Sequence, residues 1–136
     1  MREKIELVKL WIKKAENDLI NAKNSINIKP TPPLDTVCFH AQQCAEKYLK
    51  AFLVYHEIEF PKTHDLEELA GLASKADKSF IEILDMCVRL TDYAVYVRYP
   101  IFEEPTLEEA REAIETAEKI KNFVLKRLPL TEEKGI

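Results

Sequence analysis

The segment from about Leu34 to Glu57 constrains the fold most, because as a helix it is apolar on nearly every side. A helix with so little polar surface must be surrounded by other elements. The segment is therefore expected to lie at the centre of a helical bundle. Its apolar residues recur at three- and four-residue intervals: Val37, Ala41, Cys44, Ala45, Tyr48, Leu49 and Phe52, with Phe39, Leu53 and Val54 widening the stripe.

One narrow polar face, here called the polar ridge, interrupts this helix. Its spacing of three or four residues places its members on one side. Polar groups on such a helix must reach solvent or be paired. Two interpretations stay open: an internal ladder of hydrogen bonds and ion pairs, or a cleft wall that meets a phosphate through its lysines and a base or ribose through its glutamine. The ridge comprises His40, Gln43, Glu46, Lys47 and Lys50.

Periodicity predicts four further helices, over about 3–26, 63–75, 78–97 and 106–128. Either Thr63 or Asp65 is expected to cap the short third helix, and Thr106 with Glu109 forms a capping box for the last one. Prolines separate the segments, and no segment reads as a strand. We expect an all-α, up-and-down bundle of four long helices plus one short helix. It is expected to be a single domain over 1–136, with a peripheral tail from about 129.

Two of these helices carry clear apolar stripes. The last one contains a polar interruption at Lys121. The first stripe comprises Leu7, Leu10, Trp11, Ala15, Leu19, Ala22 and Ile26, and the last comprises Leu107, Ala110, Ile114, Ala117, Val124 and Leu128.

Composition narrows the function classes. The chain has 136 residues, and its net charge of −4 gives no general attraction for nucleic acid, so RNA or DNA binding would need a local basic patch. No apolar run is long enough to span a membrane, and the N-terminus lacks a signal-peptide core, so a cytoplasmic location is expected. Cys38, Cys44 and Cys87 are expected to be buried thiols.

No metal or cofactor is expected. No zinc-type spacing occurs in the sequence. His40 and Cys44 stand one helical turn apart, but no third ligand accompanies them.

Several segments together resemble the HEPN domain family, over about Val8 to Phe123. The most specific are Gln43-x-x-Glu46-Lys47-x-x-Lys50-Ala51 and Lys62-Thr-His-Asp-Leu66. The resemblance implies a bundle of four long helices plus a short one, and a homodimer. It also implies a minimal nucleotidyltransferase as partner, often in a toxin–antitoxin-like pair. The other matching segments are Ala15-Glu-Asn-Asp-Leu19, the run from Asp35 to Gln42, and Tyr93-Ala-Val-Tyr-Val-Arg-Tyr-Pro100.

The resemblance also implies an activity that this sequence does not fully support. Many members are metal-independent endoribonucleases that use an Arg followed after four to six residues by a His. Arg98 stands where that motif begins, but Tyr-Pro-Ile-Phe-Glu-Glu-Pro follows it, and the last histidine of the chain is His64. No catalytic residue is therefore assigned, and the expected function is non-catalytic binding of a nucleotide, RNA or the nucleotidyltransferase.

Six residues are the candidate ligand contacts, each with a structural alternative. His64 also suits packing at a helix start, and Arg98 also suits pairing with helix-terminal carbonyls. Tyr99, with Tyr93 and Tyr96, would either stack on a base or pack. Two other functions stay open: an endoribonuclease in which Arg98 holds the phosphate and His40 or His64 moves the proton, and a purely structural dimer module. The candidates are Gln43, Lys47, Lys50, His64, Arg98 and Tyr99.

Overall fold

The structure, a computed structural model, describes residues 2–93 and 103–129. Every regular element within these ranges is helical, which confirms the predicted all-α class. None of the described helices is both long and apolar enough to cross a membrane. The elements are α1 (Arg2–Ser25), α2 (Leu34–Tyr55), α3 (Leu66–Ala73), a 3₁₀ helix (Lys78–Ile83), α4 (Leu84–Thr91) and α5 (Leu107–Leu125).

Helix α2 packs against α1, α3, α4 and α5, as its apolar surface requires. Tyr48 and Phe52 are among its largest fully buried side chains. The prediction of buried thiols is confirmed for Cys38, Cys44 and Cys87, none of which is exposed. Burial raises the pKa of each thiol to about 12, so all three are protonated at neutral pH.

Helix α1 follows its predicted stripe from Trp11 onward, and Trp11 packs partly buried against the core. Ala15 and Leu19 are buried, but Leu7 and Leu10 are 46% and 55% exposed, and Val8 is buried instead. The expectation that Leu7 and Leu10 face the core is therefore wrong. The ion pairs between α1 and α5 involve only the later part of α1. The earlier part of α1 packs chiefly against α2 and therefore buries a narrower face.

The predicted fourth helix begins differently from the expectation. Asp77 accepts hydrogen bonds from the backbone amide and the hydroxyl of Ser79, at 2.9 and 2.6 Å, and a 3₁₀ helix follows. Phe80 and Ile83 are both buried at the three-residue spacing that suits a 3₁₀ helix. α-Helical geometry begins only at Leu84. The predicted helix is also interrupted earlier than expected, because α4 ends at Thr91 and Asp92 lies in a turn. The predicted end at Val97, the next loop as far as residue 102 and the tail beyond 129 lie outside the described residues.

The structure decides which residue caps α3. Asp65, not Thr63, caps α3, because its carboxylate accepts from the amides of Glu67 and Glu68. Thr63 instead accepts from the Asp65 amide at 3.0 Å. The capping box predicted for the last helix, at Thr106, is confirmed.

Helix α2 ends in a left-handed turn that a residue other than glycine occupies. Glu57 has a φ of 56°, and the amide of Ile58 donates to the Leu53 carbonyl at 2.9 Å. The Glu57 amide donates to the Val54 carbonyl at 3.0 Å, which completes a Schellman motif. Glycine is the usual residue at this position because a Cβ is strained there.

We expect Glu57→Gly to raise the free energy of unfolding by about 1 kcal/mol, because it removes the left-handed strain. Urea unfolding would measure the change. Glu57→Gln removes the exposed 3.2 Å ion pair with Lys4 and keeps the strain, so it should change little. Glu59→Gly, at an exposed position two residues away, should not stabilise. Equal stabilisation by both glycine variants would contradict the assignment.

Candidate functional site

Glu46 is the centre of a polar cluster on α2. Its side chain is only 4% exposed, and its Oε2 accepts from Lys50 Nζ at 2.8 Å. Its Oε1 accepts from His64 Nδ1 at 2.9 Å and from Gln43 Nε2 at 3.0 Å. A carboxylate so deeply buried needs donors of this kind. We call Glu46, Lys50, His64, Gln43 and Gln42 the Glu46 cluster.

Gln42 joins the same cluster to the chain that precedes α3. It is fully buried, and its Nε2 donates to the backbone carbonyl of His64 at 2.9 Å. Its Oε1 accepts from Gln43 Nε2 at 2.8 Å. The segment before α3 is therefore attached to α2 through both the backbone and the side chain of His64.

A second buried carboxylate on α1 has the same pattern of partners. Asp18 is 8% exposed; its Oδ1 accepts from His40 Nδ1 at 2.9 Å and its Oδ2 from Lys47 Nζ at 2.6 Å. We call Asp18, His40 and Lys47 the Asp18 cluster. In each cluster one carboxylate lies between one lysine and one histidine.

The two clusters leave little free charge on the polar ridge. Lys47 and Lys50 are each paired with a carboxylate, at 2.6 and 2.8 Å. Their two positive charges match the two negative charges of Asp18 and Glu46 when the histidines are neutral. The ridge is thus a paired surface and not an open cationic groove, which favours the ladder interpretation.

Lys50 is enclosed further by two aromatic rings. Its Nζ lies 5.5 Å from the ring centroid of Trp11 and 5.6 Å from that of Phe60. These distances allow cation–π attraction from both rings. Because the Lys50 side chain is only 12% exposed, a ligand would have to displace Glu46 or a ring to reach it.

Each of the two cluster histidines, His40 on the polar ridge and His64 before α3, has one ring nitrogen left over. The carboxylate at each Nδ1 assigns the proton of the neutral ring to that nitrogen. Nε2 then carries a lone pair, and it makes no hydrogen bond to another group in residues 2–93 and 103–129. The His64 side chain is 47% exposed and that of His40 is 26% exposed. Each ring therefore offers a proton acceptor that a buried carboxylate holds in place.

A third network explains the polar interruption in α5. The hydroxyl of Tyr48 donates to Glu16, and Lys121 Nζ lies 2.8 Å from the same carboxylate. Burial would raise the pKa of Glu16, but the hydrogen bonds from Lys121 and Tyr48 outweigh it and leave the pKa lowered. Burial and the Glu16 carboxylate raise the pKa of Tyr48. Lys121 thus completes a polar network that connects α1, α2 and α5.

The structure places four of the six candidate residues in the two clusters: Gln43, Lys50 and His64 around Glu46, and Lys47 beside Asp18. Arg98 and Tyr99 lie outside the described residues, so their roles stay predictions. The His40–Cys44 pair does not converge, because the Cys44 side chain is buried in the core and His40 turns to Asp18. No group of three metal-ligating side chains forms in the described parts of the chain.

Sequence reasoning missed three contributors. Asp18 stood inside a matching segment, and a carboxylate at the edge of an apolar stripe is a natural partner for a ridge histidine or lysine. Gln42 carried a signal too, because it is a polar residue on the apolar side of α2. Phe60 gave no signal in the sequence, because its contact with Lys50 depends on the path of the loop between α2 and α3.

Comparison with known proteins agrees with this architecture. The family model of the HEPN domain matches residues 8–128. The curated protein "Putative toxin MJ1304" of Methanocaldococcus jannaschii is 31% identical over 132 residues, covering 85% of this chain and 84% of that protein.

Two solved structures share the fold. The crystal structure of ST0689, an archaeal HEPN homologue, has a TM-score of 0.70 and 30% identity, and covers 88% of this chain and 96% of that chain. The crystal structure of TT1696 from Thermus thermophilus has a TM-score of 0.74 and 26% identity, with 89% and 98% covered.

We expect Glu46→Ala to lower the free energy of unfolding by about 3 kcal/mol, because it leaves buried donors without their acceptor. Urea unfolding at neutral pH would measure the loss. Glu59→Ala, at an exposed position, is the matched control and should change stability little. A loss of similar size in both variants would show that burial of Glu46 is not its cause.

Stability should also depend on the charge of Glu46. Burial would raise its pKa, but hydrogen bonds from Lys50 and His64 outweigh this and hold the pKa below its usual range. The stabilisation is therefore fully present above the unfolded-state pKa of about 4.3 and is lost as the pH falls through the lower folded-state value. Glu46→Gln should lose less stability than the wild type between about pH 5 and pH 3. Parallel pH profiles for the two proteins would contradict this.

Proposed function

This chain belongs to the HEPN family, and we propose that it is a non-catalytic binding protein. In this proposal it forms a homodimer and binds a minimal nucleotidyltransferase, a nucleotide or both, as one half of a toxin–antitoxin-like pair. The observation that carries the proposal is the pairing of the polar ridge within the chain. Groups so fully occupied stabilise the fold and are poorly placed to act on a substrate.

The sequence supports the non-catalytic part. Arg98 has no histidine after it anywhere in the chain. The Arg–His spacing of the family's ribonucleases is therefore absent. General acid–base help typically contributes about 10²–10⁴-fold to such reactions, so its loss leaves little activity by that route.

Similarity and surface chemistry support the partner part. The relative from M. jannaschii is named "Putative toxin MJ1304", and the match extends over most of both proteins. Leu7 and Leu10, three residues apart on one side of α1, are also exposed and offer an apolar surface to a partner.

We expect the purified chain to form a stable complex with the minimal nucleotidyltransferase of its source organism. Co-expression followed by size-exclusion chromatography with light scattering would give its stoichiometry. In parallel, the melting temperature would be followed in the presence of ATP, GTP, CTP and UTP without the partner. The proposal fails if no complex forms at micromolar concentrations and no nucleotide at millimolar concentration shifts the melting temperature.

A second candidate function is supported by the two oriented histidines. His40 and His64 each present Nε2 outward while a carboxylate 2.9 Å from Nδ1 holds the ring. In RNA cleavage, one imidazole would accept the 2′-hydroxyl proton as that oxygen attacks phosphorus. The other imidazole, protonated, would give a proton to the departing 5′-oxygen, leaving a 2′,3′-cyclic phosphate and a 5′-hydroxyl. Arg98 would hold the scissile phosphate, because Lys47 is already paired with Asp18.

If this candidate is correct, the chain cleaves RNA in excess EDTA, and His64→Ala lowers the rate at least 10²-fold. His56→Ala is the matched control, because His56 lies outside both clusters. Arg98→Ala tests whether that residue holds the phosphate. Gel analysis of structured and unstructured RNA would measure the rates. Cleavage that survives both His40→Ala and His64→Ala would come from a contaminant, and the absence of cleavage would leave the non-catalytic proposal standing.

A further inference from the structure

A groove of about 500 Å³ lies between the α1–α2 connection and the first half of α5. Its apolar surface comes from Ile28 and Pro30 on one side and from Leu107 and Ile114 on the other. Ile28 is 47% exposed and Leu107 is 39% exposed. Two large apolar side chains therefore face water across a depression that could seat the side chains of another protein.

An acidic row runs along α5 beside this groove. Glu108, Glu112 and Glu115 are four and three residues apart, so they share one side of the helix, and all three are exposed. No ion pair within the described parts of the chain involves them. Glu103 and Glu104, also exposed, precede the helix. The groove itself has an apolar floor and a lining with charges of both signs, because Lys29 and Arg111 line it together with Glu115. The acidic row borders it along α5.

The charges distinguish among the occupants. A nucleic-acid backbone would be repelled by this row, and so would a second copy of the chain that placed its own acidic row here. A segment with lysine or arginine side chains would be attracted. Arg111, which lies within the row and also lines the groove, could meet a single acidic residue of such a segment.

We propose that this groove docks an amphipathic, positively charged segment of a partner protein. Apolar side chains of that segment insert between Ile28 and Leu107, and its basic side chains lie opposite Glu108, Glu112 and Glu115. The surface is separate from both histidine clusters. Only the identity of the partner rests on the proposed function.

The test uses two synthetic peptides of equal length with leucines at helical spacing. One peptide has lysines at its remaining charged positions and the other has glutamates. Methyl NMR of the wild-type chain should show shifts at Ile28 and Leu107 with the lysine peptide and none with the glutamate peptide. The methyl groups of Ile20 and Ile81, which are 53% and 59% exposed elsewhere, are the internal controls.

Variants separate docking from general charge attraction. Glu112→Lys with Glu115→Lys, and separately Leu107→Asp, should weaken binding of the lysine peptide at least tenfold. Glu59→Lys with Glu82→Lys makes the same change in net charge at exposed positions away from α5 and should keep most of the affinity. Equal weakening by the two double variants, shifts centred on Ile20 or Ile81, or no binding at millimolar peptide would each overturn the proposal.

The same variants distinguish this inference from the proposed function. If the nucleotidyltransferase binds the wild type and both double variants equally, this docking surface is wrong and the partner proposal survives. If the nucleotidyltransferase never binds but the lysine peptide docks in the groove, the docking surface survives and the partner must be another basic protein.

Discussion

The structure around α2 depends on burying the Glu46 carboxylate with enough donors to offset the loss of water. An uncompensated charge at such a site costs several kcal/mol. Lys50, His64 and Gln43 share the two oxygens, and each comes from a different position along the chain. This requirement fixes the rotamers along one side of α2 and fixes the path of the loop before α3. The two most specific segments of the family pattern are therefore in contact, through the hydrogen bond between His64 and Glu46.

Much of the fold was predictable because it follows from periodicity and capping. The apolar surface of α2 and the Thr106 capping box need only local sequence to be recognised. The exposure of Leu7 and Leu10 was not predictable, because it depends on how far α5 extends along α1. The 3₁₀ start at Lys78 was not predictable either, because Asp77 caps it through the Ser79 amide in the same way as it would cap an α-helix.

The sequence predicted most members of the candidate site but not whether their charges are paired. Spacing alone places Gln43, Lys47 and Lys50 on one face, and it leaves open whether their charges are free or paired. That question was decided by Asp18, which reaches Lys47 from another helix. A surface that reads as cationic in sequence is therefore nearly neutral in the structure. Within the part of the chain that the structure describes, exposed carboxylates without an ion pair do line α5, at Glu108, Glu112 and Glu115.

The two histidine–carboxylate contacts are close in sequence, which bears on how the chain reaches this structure. Asp18 and His40 are 22 residues apart, and Glu46 and His64 are 18 apart. Closing loops of this length costs little more entropy than closing shorter ones, since the cost grows only with the logarithm of length. The α1–α2 hairpin and the link from α2 to α3 can therefore form before α5 is in place.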